Sequence, residues 1–146
     1  MYTLKKEFVV ETAHILDDSY MQECQRFHGH SAKIVVSICS LGLNKAGMVM
    51  DFKLLKELFM PLYKTLDHHC LISEERIKIM KTDMPGFQVV PFNPTAENIA
   101  AWLYNSFQKA LNDYRAKHPG ELGNFYLNYI EYWETEHACV RYDASY

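Results

Sequence analysis

Two runs near the start of the chain, "TLKKEFVVETAH" (3–14) and "HSAKIVVSICSL" (30–41), constrain its fold most. Both are dense in β-branched and aromatic residues and lack the three-to-four-residue apolar spacing of a helix, so both read as strands. "LGLNKAG" then reads as a turn carrying Asn44 and Gly47, and "MVM" leads into Asp51. That pattern predicts a hairpin of 30–41 with 47–50.

From Asp51, a good N-cap, apolar residues fall at Leu54, Leu55, Leu58, Phe59, Leu62 and Leu66, the stripe of an amphipathic helix. Pro61 lies inside it and removes one backbone donor, so a kink or local weakening is expected there. A second helix starts at "NPTAEN", where Thr95 can cap, and continues through Ile99, Trp102, Leu103, Phe107, Ala110, Leu111 and Tyr114 until "KHPGELG" (117–123) stops it. The segment "FYLNYIEYWETEHACVRY" alternates and is aromatic, as one or two strands would be. Residues 73–93 read least clearly, with room for a short helix and an extended piece. The order strand, strand, helix, helix, strand, without regular βαβ alternation, implies an α+β domain with an antiparallel sheet and helices on one face.

A chain of 146 residues suits a single domain, 1–146, with a real core. A net charge of -3 gives no basic field for nucleic acid or an anionic membrane, so neither is an expected partner. Neither a secretory leader nor a membrane span is evident. The four cysteines form no C-x-x-C pair, and a reduced, cytoplasmic protein is expected. The 10 tyrosines and 8 phenylalanines suit strands and a subunit interface.

Chemistry concentrates in four places. In "CQRFHGHS" (24–31), His28 and His30 project from one face if the segment is extended, close enough to share a metal ion, and His14 at the end of the preceding strand can supply a third nitrogen. Three neutral imidazoles would leave a zinc ion with an open position, as in catalytic sites. Two surface histidines beside a turn glycine would carry the same letters. Cys24, near such an ion and Arg26, could act as a thiolate nucleophile or base, although most free cysteines are small buried hydrophobes. Cys39, Cys70 and Cys139 are read that way. In "TLDHHCL" (65–71), Asp67 beside His68 could form a proton relay, or a polar turn after the helix. In "YWETEH" (132–137), Glu134 and Glu136 fall on one face of the presumed strand, where a carboxylate could take two hydrogen bonds from an N–C–N edge such as that of a pterin, or simply be solvated.

The blocks "ETAHIL", "CQRFHGHS", "GMVMDFKLLK", "LDHHCL", "PTAENIAAWL" and "WETEHACVRY", in this order from about residue 8 to 142, resemble the 6-pyruvoyl-tetrahydropterin synthase / 6-carboxytetrahydropterin synthase family. The resemblance implies the T-fold: a four-stranded antiparallel sheet with two helices on one face, three subunits closing a barrel and two trimers stacking as a hexamer. It implies His14, His28 and His30 as ligands of Zn2+, Cys24 as the catalytic thiol, and Asp67 with His68 as the relay, leaving His69 a bystander. Glu134 matches the pterin-anchoring carboxylate, and Thr95 falls in a segment that also contacts the pterin.

The three-residue gap between Cys24 and His28, with "MDF" (50–52) and "LDHH" (66–69), is similar to the carboxy branch. That branch converts 7,8-dihydroneopterin triphosphate to 6-carboxy-5,6,7,8-tetrahydropterin, releasing acetaldehyde and triphosphate, on the way to queuosine and other 7-deazapurines. The alternatives are the pyruvoyl branch, which eliminates triphosphate and keeps the carbon skeleton, and a pterin- or metal-binding homologue without turnover. Two departures stand out: residues 73–93 are longer than the family pattern suggests, and Thr12 and Ile15 stand where alanine and arginine are common.

Overall fold

The computed structural model describes residues 1–144. Six strands, β1 (Tyr2–His14), β2 (His28–Ser40), β3 (Cys70–Ser73), β4 (Phe87–Val90), β5 (Phe125–Thr135) and β6 (Ala138–Tyr142), form one sheet in the order β4-β3-β1-β2-β5-β6. Three helices, α1 (Phe52–Leu66), α2 (Glu74–Met80) and α3 (Ala96–Lys117), and a 3-10 turn at Gln22–Gln25 complete it. The expected four antiparallel strands are β1, β2, β5 and β6. The sheet is nevertheless mixed and six-stranded, because β3 joins β1, and β4 joins β3, in parallel register. Those two short strands come from the "CLIS" and "FQVV" pieces flanking and within the unclear segment, which also holds α2.

The first two runs pair with one another along their whole length, Tyr2 opposite Ser40 through His14 opposite His28. The hairpin of 30–41 with 47–50 does not form. Residues 41–51 are instead a loop in which the Asn44 carboxamide accepts the backbone N–H groups of Ala46 and Met48, Gly47 takes φ 76°, and Met50 is buried in the core. With β1 on one side of β2 and β5 on the other, no edge of β2 remains for a third partner.

The period-2 rule sets the core face: Phe8, Val10, Ala32, Ile34, Val36 and Ile38 point the same way and meet Leu55, Phe59 and Leu66 of α1 and Leu103, Phe107 and Leu111 of α3. A register shift between Ser37 and Ile38 lets β5 present Leu127 and Ile130 to that core despite their opposite parity. Asp51 caps α1 by accepting Lys53 and Leu54 N–H, and Thr95 caps α3 by accepting Asn98 N–H. Helix α1 runs unbroken across Pro61, whose position faces solvent. Among the described residues no helix is long and apolar enough to cross a membrane.

Candidate metal centre and relay

Antiparallel register places His14, the last residue of β1, directly across from His28, the first of β2, and His30 two residues on shares its face. The glycine between them has a close-approach reason: a Cβ at Gly29 would meet the Thr12 carbonyl oxygen at 3.2 Å. The three ring centroids lie 4.4 to 5.2 Å apart. Nε2 of His14 is 2.9 Å from Nε2 of His28 and 3.2 Å from that of His30.

The outward nitrogens decide what those inward nitrogens are. His14 Nδ1 donates to the Pro94 carbonyl at 2.8 Å and His28 Nδ1 to the Arg26 carbonyl at 2.7 Å. A carbonyl only accepts, so in each neutral ring the proton sits on Nδ1 and the lone pair on Nε2. Burial, the main cause, pushes the His14 pKa below the ordinary histidine value, helped by His28 and His30 and opposed by the Pro94 hydrogen bond and Glu134. Burial likewise lowers that of His30, against Glu134.

Two lone pairs therefore face each other at 2.9 Å, and the Glu134 carboxylate joins them, its Oε1 3.3 Å from His14 Nε2 and 3.5 Å from His30 Nε2. With both histidines held neutral these contacts are not ion pairs. One proton could satisfy one of them; a cation among the three nitrogens satisfies the set, and the carbonyl-oriented imidazoles have the outer support that metal-binding histidines need. His14, His28 and His30 thus form a group that could hold a metal ion.

The second constellation forms at the end of α1. His68 adopts a left-handed backbone, φ 59°, which folds its ring back so that Nδ1 lies 2.8 Å from Asp67 Oδ2. The other carboxylate oxygen accepts the Glu11 N–H at 3.0 Å, and His68 N–H donates to the Glu11 carbonyl at 2.7 Å, so β1 clamps the pair. Burial alone would raise the Asp67 pKa, but the hydrogen bonds from His68 and Glu11 outweigh it and hold the carboxyl below its ordinary range. The His68 ring is largely exposed, whereas His69 is turned back, its Nδ1 donating to the Asp67 carbonyl at 2.9 Å. His68 and His30 both line a cavity of about 570 Å³, walled also by Glu11, Phe27 and Phe87.

Cys24 sits half-buried on the 3-10 turn between β1 and β2, its carbonyl accepting Leu16 N–H at 3.2 Å. Among the described residues, neither Cys24 nor the Asp67–His68 pair makes a hydrogen bond or ion pair with the histidine group. Thr95 caps α3 immediately after Pro94, whose carbonyl orients His14. Glu136 does not share the face of Glu134: it is exposed in the turn between β5 and β6. Cys70 is the inert buried thiol expected, pushed up to about 11 by burial, whereas Cys139 is exposed rather than buried. The orienting carbonyls of Pro94 and Arg26 and the lining roles of Glu11, Phe27 and Phe87 have no counterpart among the sequence expectations. Backbone carbonyls carry no residue signature, and only the "NPT" block hints at the first.

Comparison with known proteins gives the family and the fold. Residues 3–145 match the family described as 6-pyruvoyl tetrahydropterin synthase. A relative from Synechocystis named 6-carboxy-5,6,7,8-tetrahydropterin synthase is 36% identical, covering 97% of this chain and 93% of its own. One of the same name from Haemophilus influenzae is 31% identical over 97% and 99%. In fold, the chain superposes on an uncharacterized protein of Wolinella succinogenes with a TM-score of 0.77 at 21% identity, over 99% and 98% of the two chains. The Caenorhabditis elegans 6-pyruvoyl tetrahydropterin synthase gives 0.70 at 19% identity, over 99% and 96%. A matched region spanning nearly every residue, with relatives above 30% identity over almost the full length, means that the chain belongs to the 6-pyruvoyl tetrahydropterin synthase family.

Proposed function

We propose that this chain is a zinc-dependent 6-carboxy-5,6,7,8-tetrahydropterin synthase, a carbon–carbon lyase that converts 7,8-dihydroneopterin triphosphate to 6-carboxytetrahydropterin, acetaldehyde and triphosphate. The observation that carries the reading is the convergence of the His14, His28 and His30 ring nitrogens, the Nε2 atoms of His14 and His28 being 2.9 Å apart, beside a carboxylate that can hold a heterocycle. Neutral nitrogen donors suit zinc, and sets of three histidines with an open position are catalytic. The relatives' names and the three-residue gap between Cys24 and His28 favour the carboxy branch.

Zinc, when bound, supplies the Lewis acidity that stabilises negative charge developing on the substrate's side-chain oxygens. Glu134 accepts two hydrogen bonds from the pterin N–C–N edge, with Thr95 beside it, and so fixes where the side chain falls. Cys24 and the Asp67–His68 pair move protons to and from the side-chain carbons. Asp67 keeps the His68 proton on Nδ1 and leaves Nε2, on the exposed ring, free to accept one.

The site is proposed to work within a homo-oligomer, a trimer or a hexamer of two trimers, in the cytoplasm on the path to queuosine and other 7-deazapurines. Support for assembly lies in the sheet: β4 and β6 end it with open edges, and Val9, which alternates with the core residues Phe8 and Val10, is exposed on the face away from the helices. Product analysis on zinc-loaded protein tests the function. Acetaldehyde and 6-carboxytetrahydropterin are expected in equal amounts; a pyruvoyl product without acetaldehyde would refute the assignment.

A further inference from the structure

The longer stretch at 73–93 walls the cavity of His30 and His68 through Phe87, and it is also tied to the loop that carries the thiol. Residues 15–27 connect β1 to β2 with only one 3-10 turn of regular structure, in which Cys24 N–H donates to the Met21 carbonyl and the Cys24 carbonyl accepts Leu16 N–H. Further ties come from outside the loop. The Ser73 hydroxyl, which caps α2 by accepting Arg76 N–H at 3.0 Å, donates to Asp17 Oδ1 at 2.7 Å. Asp17 N–H donates to Asn93 Oδ1 at 2.9 Å. On the far limb, Arg76 Nη2 donates to the carbonyl of Gln25, the residue after Cys24, at 3.1 Å.

Apolar packing follows the same route. Ile15 is buried with Cys70 and Ile72 against Ile77 of α2 and Phe87 of β4. One of the departures from the family pattern, Ile15, therefore packs on the other, the long segment.

We infer that α2 is a latch on the thiol loop and that Arg76, through the Gln25 carbonyl, is a positioning residue for Cys24. The inference rests on the catalytic role proposed for Cys24. The guanidinium holds the C-terminal end of the 3-10 turn, and Ser73 holds the N-terminal limb at Asp17. Between these two points the loop's own bonds, Cys24 N–H to the Met21 carbonyl and Arg26 N–H to the Glu23 carbonyl, shape the turn that presents the half-buried thiol. Without Arg76 the limb that leads from Cys24 to His28 loses its tie to α2.

The test uses the full zinc-loaded chain and its Arg76→Ala and Arg76→Lys variants. Alkylation of Cys24 by iodoacetamide is followed by peptide mass spectrometry, alongside kcat, KM for dihydroneopterin triphosphate, and zinc content. Arg76→Ala is expected to alkylate Cys24 about tenfold faster and to lose about tenfold in kcat, with KM and zinc unchanged. Arg76→Lys, which still donates to the carbonyl, should recover most of both. Asp17→Ala removes the bond from the Ser73 hydroxyl while leaving Arg76 on the Gln25 carbonyl, and should also speed alkylation. Alkylation in Arg76→Ala no faster than in the parent would overturn the latch. Faster alkylation in a protein that makes no carboxy product would leave the latch standing and refute the functional reading, because alkylation needs no turnover.

Discussion

Loading the histidine group with zinc should raise the unfolding temperature by an amount that can be worked out. In the metal-free protein His14 Nε2 is buried against the His28 and His30 nitrogens and Glu134 Oε1, with no proton of its own to offer. A buried acceptor left unsatisfied costs about 1 to 3 kcal/mol. A cation that binds only the folded chain removes that cost, and at a hundred times its Kd it stabilises by about 2.7 kcal/mol. For 146 residues the unfolding entropy is roughly 0.3 kcal/mol per degree, so Tm rises by about 9 °C. His14→Ala removes the most buried ligand. If affinity falls a hundredfold, the same zinc concentration equals Kd and stabilises by only about 0.4 kcal/mol, or ~1 °C.

Scanning calorimetry at fixed protein concentration, with and without zinc, reads both shifts. Acid weakens the apo fold as well: His14 and His30 have folded pKa values below the ordinary 6.5, so as pH falls through that value the unfolded chain takes up protons that the folded chain does not. The same depression keeps more of both rings neutral, and so able to bind metal, in mild acid than an ordinary histidine would be. A zinc-induced rise under ~2 °C in the parent, or an equal rise in His14→Ala, would show that these lone pairs do not converge on an ion.

Three further outcomes follow from other contacts. Glu134→Ala should keep zinc but weaken pterin binding by about 10- to 100-fold, the worth of a charge-assisted hydrogen-bond pair; unchanged affinity by calorimetric titration would remove it as the anchor. Asp67→Asn should keep zinc and lower kcat by about 100-fold or more, since an amide cannot stabilise a protonated His68; near-parental kcat would exclude the relay. Its folded pKa is depressed, so the stability that Asp67 contributes is complete at neutral pH and is lost progressively as pH falls from the ordinary carboxylate value through the depressed one, and the variant should lack this acid-limb change. Phe59→Ala should cost about 3 to 5 kcal/mol in urea unfolding, because the ring is fully buried 4.6 Å from Phe8 and 5.3 Å from Phe107; a loss under ~1 kcal/mol would mean that the core closes over the gap.

Local signals succeed where one residue's chemistry decides one element. Asp51 and Thr95 both cap where their residue type and position predict, and the α1 and α3 stripes are the faces that meet the sheet. They fail where the partner lies far along the chain. A short strand such as "CLIS" carries four buried residues and no alternation, so nothing in it announces a parallel pairing with β1 more than fifty residues earlier. The false hairpin at 47–50 has the same origin. Asn44 and Gly47 do make a turn, but Met50 leaves it for the core, and β2 takes its neighbours from the two ends of the chain.

The site divides along a similar line. His14, His28 and His30 are legible because strand periodicity and antiparallel register bring side chains together, and both follow from residue pattern. Their tautomers are not, since these depend on the carbonyls of Pro94 and Arg26, groups every residue possesses. For the same reason the letters of Asp67 and His68 leave relay and turn both open: the left-handed φ of His68 closes the contact, and no neighbour in the sequence requires it. Side-chain identity thus names the donors, while backbone placement decides which of them face one another. The long stretch at 73–93 extends that point, because its hydrogen bonds to the thiol loop run mostly through backbone groups there, such as the carbonyl of Gln25 and the N–H of Asp17, while Ser73 meets the Asp17 side chain. A relative could keep every catalytic side chain, lack Arg76 and Ser73, and hold its thiol by a different route.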